Sequence, residues 1–224
     1  MIRVDHNDSL ARSRGRGAGS ILGVLAAAGI ACNLLVPPSL STPTRGPTSS
    51  PVPRLVSVFD DSEAWWAALH QAVGEAPQDV IEEATPLLAS ADSRTRFAAV
   101  YALGLAVDAD QADLLLPALE DPNPGLRILA GGALIGLGRV ESIPVLIAAL
   151  GSDDELPYLD PPTRVWSIAH AGLAFYTGQD FGFLVAVRSG DEAARQASAA
   201  AWNSWWVEVA PDLTWDANSE RFIP

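Results

Sequence analysis

Lysine is absent from this 224-residue chain, and all 14 basic residues are Arg. Cysteine occurs once, at Cys32. That excludes an intramolecular disulfide and a zinc site built on several thiolates. Histidine is nearly as scarce. His6 lies near the start, and His70 and His170 each stand without a second His or an acid at metal-ligand spacing. A phosphate loop needs its Lys, and the HExxH and G-x-S-x-G patterns are missing as well. Positive charge is short overall: 27 acidic residues set the formal net charge at −13. Four Arg and two acids fall in the first 20 residues, so the remainder holds ten Arg against 25 acids, a net of −15. A body of that sign repels a phosphate backbone, so nucleic acid is not an expected partner. What remains is a chain that is 49% hydrophobic and long enough for one sizeable core. No cofactor, metal or catalytic group follows from its residues, and the reading is of a non-enzyme.

The first 36 residues read as a basic leader and an apolar segment. Arg3, Arg12, Arg14 and Arg16 precede Ile21–Val36, which is almost wholly apolar. A basic stretch followed by an apolar one has the layout of an export signal. Ala18 to Val36, 19 residues, is also long enough to cross a bilayer as an uncleaved anchor. In both cases the Arg side stays in the cytoplasm and the C-terminal body lies outside. Gly29-Ile30-Ala31-Cys32 resembles a bacterial lipobox, departing from it at Gly29, where Leu is usual. The resemblance implies lipidation of Cys32, membrane attachment through the N-terminus and a place in the bacterial cell envelope. Residues 37–57 are rich in Pro, Ser and Thr. They bury too little to offset their ordering entropy, and an extended spacer is expected. The folded domain is expected over 58–224.

Within that domain a unit of 31 residues recurs. Asp92, Arg96, Ala99 and Leu103 return as Asn123, Arg127, Ala130 and Leu134. Five first helices align on an Asp or Asn and the residue four later: Asp61/Trp65, Asp92/Arg96, Asn123/Arg127, Asp160/Arg164 and Asp191/Arg195. The Asp or Asn is predicted to cap each helix, worth about 0.5–2 kcal/mol apiece. The Arg series is predicted to pair with acids of neighbouring repeats. Second helices repeat as Ile81, Ala84, Thr85, Leu88; Ala112, Leu115, Leu116, Leu119; and Ile143, Leu146, Ile147, Leu150. This is one apolar helix face at i, i+3, i+4, i+7. Pro86 and Pro117 are predicted to kink their helices. A fixed period of this length marks a helical solenoid.

Asp121-Pro122-Asn123-Pro124 followed by Arg127, Ala133-Leu134, Gly136, Gly138 and Ile143-Pro144-Val145-Leu146-Ile147 resembles the HEAT repeat, and more closely the short HEAT-like repeats named after phycobilisome lyases. The resemblance implies an all-α, right-handed α-solenoid of about five helix pairs, with second helices lining its concave side. It implies a protein-binding scaffold; the alternative it leaves is an accessory or lyase-like subunit holding a substrate or pigment in the groove.

Three further features complete the reading. Gly151–Pro162, an insertion that lengthens one period to 37 residues, lacks the alternating oxygens of a calcium loop and reads as a solvated loop. Trp202, Trp205 and Trp206 share a helix face and are predicted to cap the open end of the array, with Trp215 and Phe222 folding back on the same surface. Asp79, Asp110 and Glu141 recur at 31-residue steps, and Glu82 and Asp113 form a second pair at that period. Asp79, Asp110 and Glu141 are predicted in the first turns of second helices, where an acid offsets the helix dipole. As a negative stripe along the groove they point to a protein partner with a basic or polar segment.

Overall fold

The computed structural model describes residues 55–224 apart from 157, 160 and 161. The leader, the apolar run with Cys32, residues 37–54 of the spacer and Asp160 lie outside the described residues.

Helices form where a cap meets an apolar period. Ser62 caps α1 (Glu63–Glu75), its side chain accepting the Trp65 N–H, so the expected cap at Asp61 is displaced by one residue. A single residue, Ala76, separates α1 from α2 (Pro77–Ala84). Pro77 opens α2, where its missing N–H has no partner to lose. Asp92 caps α3 (Ser93–Ala106), accepting from the Arg94 and Thr95 N–H groups. Asn123 caps α4 (Pro124–Gly136), accepting from Gly125. Next come α5 (Ser142–Ala149), α6 (Val165–Thr177) and α7 (Phe183–Ser189). Asp191 caps α8 (Glu192–Val209), accepting from the Ala194 N–H.

Two prolines change the helix type instead of kinking an α-helix. The chain turns from α to 3-10 geometry at Thr85–Ala89, with Pro86 in its first turn. The second element of the following repeat, Ala109–Glu120, is 3-10 throughout and contains Pro117. A proline ring clashes with the carbonyl four residues back, and the tighter winding relieves that clash, although the missing N–H is lost to either kind of helix. The buried side follows the new period. Ala112, Leu115 and Ala118 line it three residues apart, and Leu119 is buried as expected, while Leu116, also expected inside, is half-buried. In α5 the expected face holds: Ile143, Leu146, Ile147 and Leu150 are all buried, each worth roughly 1.5–3 kcal/mol relative to exposure.

α4 lies at the centre of the core. It packs against α3, α5, α6 and the 3-10 helix 109–120. Adjacent glycines allow the close approach: a Cβ on Gly131 would meet Leu146 at 3.1 Å, and one on Gly132 would meet Ile168 at 3.1 Å. The chain ends differently from the expectation. The fifth unit is a single helix, α8, packed on α5 and α7. An antiparallel hairpin of β3 (Thr214–Asp216) and β4 (Arg221–Ile223) follows it. A shorter hairpin, β1 (Glu155–Leu156) with β2 (Thr163–Arg164), occupies the insertion. Residues 55–57, expected in the spacer, are packed. Val56 is fully buried, and the Glu83 carboxylate accepts N–H bonds from Leu55, Val56 and Ser57 at 2.9–3.1 Å.

Candidate functional site

The Arg series divides into different roles. Arg96 grips Asp121, the residue two before the next cap, with Nε donating to Oδ2 at 2.7 Å and Nη2 to Oδ1 at 3.0 Å. Its Nη1 donates to the Ser90 and Ala91 carbonyls. Arg127 instead donates to the backbone, to the Asp121 carbonyl at 2.7 Å and the Pro122 carbonyl at 3.4 Å. Asp121 therefore joins two successive repeats. Burial raises its pKa, but the Arg96 bonds and the Asn123 N–H outweigh that and hold it below the ordinary 3.8.

The fourth member departs from the series. α6 begins at Val165 with Arg164 itself in the cap position, so Arg164 is not one turn inside the helix. The insertion hairpin takes up the residues that would have begun the helix. Arg164 pairs with Glu155 at 3.3 Å and donates to the Asp153 carbonyl. Arg195 reaches the same loop, with Nη1 on Asp153 Oδ1 at 2.7 Å and Nε 3.0 Å from Glu192.

The acidic positions are not equivalent. Asp79 and Asp110 lie in the first turns of α2 and the 3-10 helix 109–120, and both are exposed, as is Glu82. Glu141 is not inside a first turn; it occupies the cap position of α5. Arg139 pairs with Asp113 and lies 3.6 Å from Glu141. It neutralises that end of the row. Asp79, Glu82 and Asp110 have no ion pair among the described residues. Gln78 and Gln111 join the two elements, Gln111 Nε2 donating to Gln78 Oε1 at 3.2 Å. Arg139 escaped the periodic reading because Asp108 holds its place one period earlier, so it belongs to no series.

The tryptophans also separate. Trp202 is fully buried and stands edge-on to Phe181 at 4.9 Å and Trp205 at 5.5 Å. Trp205 and Trp206 are half-buried against the core. Trp215 and Phe222 do fold back, but onto α6 and the α4–α5 turn: Trp215 packs on Tyr176 at 5.9 Å and against Gly138.

Residues 81–158 match the family model described as HEAT repeats. That stretch runs from α2 to the insertion, and so contains Asp110, Asp113, Asp121, Arg139 and Glu141. HEAT repeats commonly mediate protein interactions as scaffolds. No curated protein matches the chain.

Proposed function

We propose that this protein is a non-catalytic interaction scaffold that holds a basic or polar segment of a protein partner against the starts of its second elements. The observation that carries this reading is the row of exposed carboxylates at Asp79, Glu82 and Asp110, on elements joined by the Gln78–Gln111 bond. Asp79 and Asp110, at helix starts, hold their place through the dipole, at about 0.3–1 kcal/mol each, so they can persist without ion pairs; Glu82 lies beyond the first turn and has no such hold. The partner supplies the missing cations. The resemblance of Gly29–Cys32 to a lipobox and the basic leader support the second half of the proposal: the scaffold is tethered to the bacterial cell envelope through its N-terminus, with the body outside the cytoplasm.

The binding test captures partners from envelope extract on the exported body, then compares the change Asp79→Asn, Glu82→Gln, Asp110→Asn with wild type across a salt series. Binding through the row weakens in the variant and loses salt sensitivity. Equal affinity and equal salt slope in a folded variant would remove the row from the account. Tethering is read separately, by labelling with a palmitate analogue. Wild type takes up label and Cys32→Ser does not. Full-length, unlabelled protein in the membrane pellet identifies the uncleaved anchor instead, and protein in the cytosol overturns both.

A further inference from the structure

In a repeat array each unit touches only its neighbours. The insertion between α5 and α6 breaks that rule. From there Tyr158 reaches back to α3, its hydroxyl hydrogen-bonded with that of Ser93 at 3.0 Å. Its ring centroid lies 5.3 Å from Phe97 and 6.0 Å from Phe59, and the Arg94 guanidinium carbon is 5.6 Å away. Phe59 continues the cluster to Trp65 at 4.5 Å and Trp66 at 5.6 Å on α1. At the opposite end of the insertion, Asp153 accepts from Arg195 in the first turn of α8 at 2.7 Å. Between these points Leu156 is buried, β1 packs on α4, and the Asp154 carbonyl accepts the Val165 N–H at 2.9 Å. One short segment therefore touches α3, α4, α6 and α8.

We propose that this segment is a strap that fixes the setting of α1–α3 against α4–α8, and that unseating Tyr158 frees that setting. Two observations mark the seat as releasable. Tyr158 has φ of +63°, in the left-handed region that bulky residues rarely occupy. Such a conformation persists only while surrounding contacts over-determine it, and it recurs at switch segments. The second hold is an ion pair whose acid, Asp153, has a side chain 73% exposed, so water competes for it directly. Nearest-neighbour packing joins α3 to α4 whether or not the ring is seated. Release therefore loosens an angle and does not unfold the array.

The test measures distances between spin labels in the full chain carrying Cys32→Ser. One pair of labels sits on α1 and α8, at Gln71→Cys and Asn203→Cys. A control pair sits on the neighbouring α5 and α8, at Ala148→Cys and Asn203→Cys. With the strap intact both distributions are narrow. Tyr158→Ala is expected to widen the first distribution at least twofold and leave the control unchanged, with the helical circular dichroism retained. Asp153→Ala is expected to widen it less. An unchanged α1–α8 distribution in folded Tyr158→Ala overturns the proposal, and so does equal widening of both pairs. Should Tyr158→Ala fail to fold, Tyr158→Gly, which removes the ring and accepts the positive φ, replaces it; an unchanged distribution there overturns the proposal in the same way.

Discussion

Gly138 lies flat against the indole of Trp215: a Cβ built on Gly138 would stand 2.6 Å from the ring's Cγ. The two residues close the turn after α4 over the C-terminal hairpin, so the tail is fastened to the middle of the array. Gly138 also has φ of +76°. Gly138→Ala therefore meets a steric conflict and a backbone one. The backbone conflict alone costs about 1–3 kcal/mol. The unfolding free energy should fall by more than that in a denaturant titration. In a Trp215→Ala background the same change should cost only the backbone share. Equal costs in the two backgrounds would show that the indole is not the obstacle.

Arg96 and Asp121 form a pair with side chains only 11% and 6% exposed. Removing one partner strands the other, at about 3–5 kcal/mol. Arg96→Ala should lose that much in urea unfolding, and Arg127→Ala much less, because Arg127 bonds only carbonyls. The pair also has a pH signature. The pKa of Asp121 is held below 3.8 in the fold, so the unfolded chain takes up its proton first. Its contribution is present above pH 3.8 and is lost as pH falls further, through the folded value. Arg96→Met with Asp121→Leu should flatten stability in that acid range.

Trp202 and Trp205 should differ although they share a helix face. Trp202→Ala empties a fully buried site and should cost about 3–5 kcal/mol. Trp205→Ala, at a half-buried site, should cost clearly less. Equal shifts in thermal midpoint would mean that the two rings carry the end of the array alike.

Mild acid should weaken the fold through histidine. His170 has a side chain only 6% exposed, stacked on Phe183 at 5.2 Å. Burial pulls its pKa below 6.5, and Asp180 at 3.6 Å only partly opposes this. Burial lowers His70 as well. Both imidazoles bind protons more readily in the unfolded chain, so stability falls as pH drops below 6.5. His70→Gln with His170→Gln should flatten the stability profile between about pH 7 and 5. A slope equal to wild type would assign the loss to other groups.

The sequence made local rules legible and distant ones not. Asp92, Asn123 and Asp191 could be placed at helix starts because a cap is decided within three residues. The inward face of α5 was readable from its period alone. The start of α6 was not, because the insertion hairpin extends through Arg164 and shifts the register that a fixed step assumes. Pro117 was visible, but whether it bends an α-helix or changes its winding depends on what packs beneath it. The hold of Glu83 on Leu55–Ser57 and the seat of Tyr158 on Ser93 join residues about 27 and 65 positions apart, and no period encodes either. For the acidic row, the positions were legible; the pairing of Asp113 and Glu141 with Arg139 was not.

The winding of Ala109–Glu120 sets which insertions and deletions the second repeat can absorb. At three residues per turn, Asp110 and Asp113 stand one above the other on a single ridge. The 12 residues extend about 24 Å, against about 18 Å for an α-helix of the same length. Loss of three residues would return the ridge and the buried line of Ala112, Leu115 and Ala118 in phase, about 6 Å shorter. Loss of four, nearly one α-helical turn and harmless to the phase of an α-helix, would here rotate everything beyond the cut by about 120°. Beyond the cut it would swing Leu115 and Ala118 off the buried line. Length variation in this element is thus quantised in threes, whereas in α5, wound as an ordinary α-helix, it is not.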